Sequence, residues 1–137
     1  MIGVFGGTFN PIHSAHIRLA LEVQQLLELD HVRMIPCGIP AHRDQPDVSP
    51  EVRMSLLVTA TKEHPELVVD DLEIKRPGPS YMVDTLQSLK VTHPESLCLI
   101  LGVDAYNNFD SWQEWRSILD LTHLVVMRRP KLAVTNY

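Results

Sequence analysis

The sequence predicts a doubly wound α/β fold, a five-stranded parallel sheet with helices on both faces. Three observations carry this expectation. Five short apolar runs recur along the 137 residues, at 2–5, 32–35, 67–74 (interrupted by Asp70 and Asp71), 97–101 and 123–127. Amphipathic stretches separate them, as crossover helices between parallel strands do. The runs are apolar without strict alternation, the pattern of strands covered on both faces.

The elements follow in order. The first run, Ile2-Gly3-Val4-Phe5, is stopped by Gly6-Gly7. Residues 14–29 keep a helical period, with Leu19, Val23, Leu26 and Leu27 on one face and Arg18, Glu22 and Gln25 elsewhere. The second run ends at Pro36, and a polar, proline-rich loop covers 37–49. Ser49-Pro50-Glu51 reads as a helix start, with a capping serine, proline at the first helical position and an acid in the first turn. That helix stops before Pro65. The β-prone run 67–74 comes next, then a Pro77-Gly78-Pro79 loop, with Ser80 expected to cap a helix reaching about Lys90. The run 97–101 ends in Gly102, residues 110–119 hold a short amphipathic helix, and 123–127 form the last strand. With no repeat, low-complexity tract or linker, the expectation is one domain over residues 1–137.

Composition narrows the function. Seventeen acidic and twelve basic side chains give a net charge of −5, against the basic face of a sequence-blind nucleic-acid binder. No run approaches the roughly 18 apolar residues of a membrane span. Cys37 and Cys98 sit in apolar contexts and read as reduced, buried thiols. The N-terminus has neither a basic region nor a cleavage site, so the protein is expected in the cytoplasm.

Doubly wound sheets bind ligands outside the carboxyl ends of their strands. That rule points to residues 6–16, 36–43 and 102–112. The first strand runs out into Gly6-Gly7-Thr8-Phe9-Asn10-Pro11-Ile12-His13-Ser14-Ala15-His16. The glycines allow close backbone approach to a ligand, and a following helix start favours an anion. His13 and His16, three apart, share a helix face and would donate to an oligophosphate. Simpler readings stay open. A Gly-Gly turn after a strand is common, two histidines at a solvated helix start can be chance, and an H-x-x-H pair can ligate zinc. No Cys, Asp or Glu at ligand spacing accompanies the pair, so no residue is assigned to a metal. Neither a Walker lysine motif nor a G-x-G-x-x-G fingerprint is present, which disfavours P-loop hydrolases and NAD-dependent oxidoreductases.

The segment Gly6-Gly7-Thr8-Phe9-Asn10-Pro11 with His13 and His16 resembles the G-G-T-F-D-P-x-H-x-G-H signature of the nucleotidyltransferase superfamily, whose fold is Rossmann-like. Further segments resemble one branch, the bacterial nicotinate-nucleotide adenylyltransferases. They are Pro40-Ala41-His42-Arg43, the stretch from Pro79 through Tyr81 and Asp84 to Leu86, Gly102-Val103-Asp104, Ser111-Trp112 and Arg128-Arg129-Pro130. The resemblance implies transfer of AMP from ATP, with Mg2+, to nicotinate mononucleotide, giving deamido-NAD and pyrophosphate in NAD biosynthesis. A substrate phosphate oxygen is then the nucleophile, so no protein serine or cysteine is required.

By match to the family pattern, Gly6, Gly7, Thr8 and Phe9 would lie near the reacting phosphates. His13, His16 and His42 would be the catalytic donors, His16 foremost, with Arg43 and Arg129 also near phosphate. Asp104 would contact the ribose or nucleotide, and Thr85 and Trp112 would hold the nicotinate ring. An indole face suits a pyridinium cation. Without the family, His42 and Arg43 read as solvated loop charges, Asp104 as a helix cap, Arg129 as an exposed strand-end cation, and Trp112 as core packing, a role that Trp115 suits better.

The sequence departs from the family pattern in places. Ala15 replaces a glycine between the histidines, Cys37-Gly38 stands where two asparagines are frequent, and Gln113 follows Trp112 where an aromatic is frequent. The family carries an S-x-x-x-x-R motif and further helices downstream of its last strand, and the sequence stops at Tyr137 without them, so the domain is expected to be C-terminally incomplete, with its activity alone in doubt. The alternatives are another branch of the superfamily, either pantetheine-phosphate adenylyltransferase or glycerol-phosphate cytidylyltransferase, or a non-catalytic nucleotide-binding remnant. Self-association into a homo-oligomer is compatible with each.

Overall fold

The computed structural model describes residues 1–9, 12, 14–40 and 48–128. In chain order the elements are β1 (Ile2–Gly7), α1 (Ser14–Leu26), β2 (Val32–Pro36), β3 (Ile39–Pro40), α2 (Pro50–Thr61), β4 (Leu67–Val69), α3 (Leu72–Lys75), β5 (Pro79–Ser80), α4 (Met82–Thr92), β6 (Leu97–Gly102), α5 (Val103–Asn107), a 3-10 turn (Phe109–Ser111), α6 (Trp115–Leu121) and β7 (His123–Met127). Five strands form one sheet in the order β4-β2-β1-β6-β7, every neighbouring pair parallel. The chain winds outward from β1 through β2 to β4, then crosses back to β6 on the other side of β1. The strand order therefore reverses at β1, and a ligand belongs above its carboxyl end.

The continuous apolar runs are explained by two buried faces. In β1, Ile2 and Val4 point into one core and Phe5 into the other. In β6, Leu97, Leu99 and Leu101 join the first core while Cys98 and Ile100 join the second. The cluster on one face takes Ile17, Ala20 and Val23 from α1 and Leu57 from α2. The cluster on the other takes Val83, Leu86 and Leu89 from α4 and Ile118 from α6. Each fully buried aliphatic side chain contributes roughly 1.5–3 kcal/mol. The start of α2 is as expected: Pro50 opens the helix and the Ser49 hydroxyl accepts from the Val52 amide at 3.3 Å.

Four local expectations are corrected. The helix expected over 14–29 ends at Leu26, and its buried face is Ile17, Ala20 and Val23, while Leu26 is 76% exposed. The chain leaves the helix at Glu28, whose φ of 51° is left-handed, and turns Leu29 inward against Gly3. Residues 72–75 are helical, not strand, because the Asp70 carboxylate accepts from the Leu72 amide at 3.0 Å and turns the chain. Ser80 does not cap α4. It lies in β5, which pairs in parallel with β3, and its hydroxyl accepts from the Gly38 amide at 3.2 Å. The helix expected over 110–119 is split into the 3-10 turn and α6, because Trp112 is extended and Glu114 takes a φ of 50°. Among the described residues no helix is long and apolar enough to cross a membrane.

Candidate functional site

A cleft of about 550 Å³ opens at the carboxyl ends of β1 and β6, where the topology places a ligand. It is lined by Phe5, Gly6 and Gly7 of β1, Thr8 just after it, and Ile100, Leu101 and Gly102 of the neighbouring strand β6. Cys37 and Pro40, Glu73, the Ser80-Tyr81-Met82 segment, and Asp104, Asn108 and Trp112 complete the lining. The three strand-end segments singled out by sequence thus meet in one cavity.

Close approach requires the glycines here. A Cβ on Gly6 would come within 2.8 Å of the Met82 methyl, and one on Gly38 within 2.7 Å of the Glu73 carbonyl oxygen. The turn after Gly7 is strained: Phe9 is not glycine, yet its φ is 48°. Such a conformation costs about 1–3 kcal/mol and is held by its surroundings. Here the buried Phe9 ring meets Phe5 edge-on at 5.7 Å and His16 at 5.2 Å. His16, on the first turn of α1, therefore stands beside the turn and is not among the residues lining the cleft.

Asp104 lies on the rim in the first turn of α5, whose N-cap position is Gly102. Trp112 lines the cleft, half-buried and tilted on Phe109 at 5.2 Å. Trp115 packs on the other edge of Phe109 at 6.2 Å, with the Arg116 guanidinium 5.0 Å above its ring. Both tryptophans pack against the same core cluster, and of the two Trp112 also lines the cleft.

Thr85 requires a correction: it does not line the cleft. It is fully buried, and its hydroxyl donates to Glu73 Oε2 at 2.6 Å while accepting from Arg76 Nη1 at 3.1 Å. With both roles of the hydroxyl used, Thr85 reaches the cleft only through Glu73. Burial pushes the Glu73 carboxyl above its ordinary pKa, against the opposing pull of the Thr85 hydrogen bond and the Arg76 charge. Arg76 Nη2 is buried without a hydrogen-bond partner among the described residues. Burial likewise pushes the Cys37 thiol up, more than its 4.0 Å contact with the Thr8 hydroxyl lowers it. His13, His42, Arg43 and Arg129 lie outside the described residues.

Sequence reasoning missed Arg53. This arginine in the first turns of α2 is 0% exposed. Nε donates to the Val48 carbonyl at 3.0 Å, Nη1 to those of Thr8 and Cys37, both at 2.7 Å, and Nη2 to Gly38 at 3.2 Å. One side chain thereby ties the turn after β1 to the turn after β2. A signal was available: Arg53 lies four residues before Leu57 and so shares its inward face.

The lining of the cleft thus includes an aromatic face, carboxylates, and a glycine pair followed by a hydroxyl. Such a shape suits a ligand with an anionic part and a flat ring. The chain is 46% identical over 132 residues to a protein named "Probable nicotinate-nucleotide adenylyltransferase" from Methylococcus capsulatus, covering 95% of this chain and 63% of that protein. A protein of the same name from Cellvibrio japonicus is 47% identical over 131 residues, covering 94% of this chain and 62% of that one. The chain therefore spans about three-fifths of the length of these relatives. The solved structure of the Plasmodium falciparum nicotinic acid mononucleotide adenylyltransferase complexed with NaAD superposes with a TM-score of 0.77 at 19% identity, covering 96% of this chain and 76% of that one, and so shares the fold. The cytidylyltransferase-like family model matches residues 4–137. Its match begins inside β1, passes through every segment that builds the cleft, and makes this chain a member of the cytidylyltransferase-like family.

Proposed function

We propose that this chain carries the site for transfer of AMP from ATP to nicotinate mononucleotide, with deamido-NAD and pyrophosphate as products, in the cytoplasm. The observation that carries the reading is one cleft lined both by the Gly6-Gly7-Thr8 segment and by Trp112. The names of the relatives at 46% and 47% identity support it.

In the reaction an oxygen of the mononucleotide phosphate attacks the α-phosphorus of ATP in line. A new P–O bond forms, the bond to pyrophosphate breaks, and its electron pair leaves with pyrophosphate. The chain's task is positioning and charge stabilisation. The backbone amides of the Gly6-Gly7-Thr8 turn and the Thr8 hydroxyl hold the phosphates. His16 donates from beside the turn as negative charge moves onto the leaving group. His13, His42, Arg43 and Arg129 complete the phosphate contacts in this reading. Asp104 faces the ribose, and Trp112 stacks on the pyridinium. Thr85 acts indirectly, by fixing Glu73 in the cleft lining.

The residues fit a cation that arrives on the nucleotide. Among the described residues no three His, Cys, Asp or Glu side chains cluster as a cage, and the Asp104 carboxylate stands on the rim. Mg2+ suits this arrangement, since it keeps several waters and binds largely through substrate phosphates. When bound it neutralises charge on the triphosphate; Asp104 is the described side chain placed to reach it or its waters.

The test is pyrophosphate release with Mg2+ and each pair in turn: ATP with nicotinate mononucleotide, ATP with pantetheine phosphate, and CTP with glycerol phosphate. The reading expects release with the first pair. Release with either other pair alone assigns the chain to that branch. ATP binding by calorimetry without turnover on any pair makes it a nucleotide-binding module.

A further inference from the structure

Arg53 is placed oddly for a side chain with a purely structural duty. It is fully buried, and among the described residues no carboxylate pairs with it. A buried charge without a counter-ion is costly, and a neutral polar side chain could tie two turns together more cheaply. Among the described residues its partners are four neutral carbonyls and the Cys37 thiol, so no described group cancels the positive charge. Two of those carbonyls belong to Thr8 and Cys37, which line the cleft from two turns. The guanidinium therefore lies one peptide behind the cleft wall.

The peptide geometry has a consequence. In a trans peptide the carbonyl and the next residue's N–H point in opposite directions. Holding the Thr8 carbonyl at 2.7 Å turns the Phe9 N–H away from the guanidinium. The same constraint at Cys37 turns the Gly38 N–H away, and that amide is indeed found on the far side, donating to Ser80. The strained φ of 48° at Phe9 is the residue directly after the clamped carbonyl. Arg53 thus holds the one left-handed residue of the turn from its N-terminal side, while the Phe5 and His16 rings hold it through its side chain.

We infer that Arg53 is a positioning residue for oligophosphate. It locks the Gly7-Thr8-Phe9 turn in its anion-accepting form, and its uncancelled charge behind the wall favours the anion that binds in front. The inference rests on the nucleotide-binding reading above and extends it to a side chain that touches no ligand.

Arg53→Met removes charge and donors; Arg53→Lys keeps the charge but has only three donors for four carbonyls. The probes are inorganic tripolyphosphate and adenosine, titrated by calorimetry. Arg53→Met is expected to bind tripolyphosphate about tenfold or more weakly, with Arg53→Lys between it and the parent, because an effective low dielectric amplifies a charge at this depth. Adenosine affinity stays within about twofold in all three, since it carries no phosphate. A role confined to stability predicts the reverse: lower melting temperatures in both variants, with tripolyphosphate affinity within about twofold of the parent, and that result overturns the inference. If Arg53→Met does not fold, the unaltered chain decides. Tripolyphosphate, and not adenosine, must shift the Arg53 Nε–H resonance in a ¹⁵N spectrum; an unmoved resonance overturns the inference. A parent that binds neither ATP nor tripolyphosphate defeats the nucleotide reading and this inference together. A parent that binds both, with variants indistinguishable from it, defeats this inference alone.

Discussion

Glu73 is a carboxyl group kept in the lining of a ligand cleft by one short hydrogen bond, the 2.6 Å donation from Thr85. Thr85→Val keeps the shape and deletes the donor, leaving a buried acceptor unmet. Loss of stability by about 1–3 kcal/mol is expected in denaturant unfolding. Burial raises the folded-state pKa of Glu73 above its ordinary 4.5, so folding favours its protonated form. The stability it contributes is present below the ordinary value and is lost as pH rises through the raised folded value. Glu73→Gln should therefore flatten the decline of the melting temperature on the alkaline side of 4.5; an unaltered pH profile contradicts this. His16 carries both a packing contact and the proposed donation to phosphate. His16→Ala is expected to lower turnover by roughly two to three decades, the value of one lost transition-state donor of about 2.7–4 kcal/mol, while ATP affinity changes little. A lower melting temperature with turnover near the parent's would assign His16 to packing, as in its 5.2 Å contact with Phe9, and contradict the donor role. Gly6, Gly7, Thr8, Asp104 and Trp112 line the cleft and were legible as candidates because they lie at or beyond the carboxyl ends of β1 and β6. Arg53, Glu73 and the true duty of Thr85 were not, because burial of a polar side chain is decided by neighbours distant in sequence.

At the scale of elements, the cleft depends on α3 passing close to the turn after β2. Gly38 permits that approach, since a Cβ there would lie 2.7 Å from the backbone oxygen of Glu73. Gly38→Ala must shift α3 or the turn, and with it Glu73 and the β3–β5 pairing. A loss of about 1–3 kcal/mol in the urea midpoint is expected, with weakened binding of the mononucleotide. An unchanged midpoint would mean that α3 moves freely. The α2 boundary was readable because Ser49-Pro50-Glu51 is local chemistry, a cap and a preset φ. The elements α3, β3, β5 and α5 were not, because two to five residues are too few to show a period. The phase of α1 was misjudged for a related reason. Leu26 and Leu27 fit the stripe by spacing, but the left-handed Glu28 ends the helix and leaves them largely outside the core.

For the whole molecule, the parallel sheet covered on both faces was legible from its unbroken apolar runs. The order β4-β2-β1-β6-β7 was not, because pairing between distant strands leaves no local mark. That order sets the location of the cleft, since only β1 has neighbours reached by chain running in both directions. Leu99, fully buried in β6 beside β1, tests the scaffold apart from the site. Leu99→Ala should cost about 2–5 kcal/mol while leaving ligand affinity per folded molecule unchanged. The central claim is that one cleft holds phosphate at the Gly6-Gly7-Thr8 turn and the pyridine ring at Trp112. An NMR titration of the unaltered chain tests it most directly, with ATP and nicotinate mononucleotide added separately. ATP should move the amide resonances of Gly6, Gly7 and Thr8, and the mononucleotide should move the indole N–H of Trp112 while leaving that of Trp115 in place. Shifts centred instead on Trp115, which is not among the residues lining the cleft, would contradict the account.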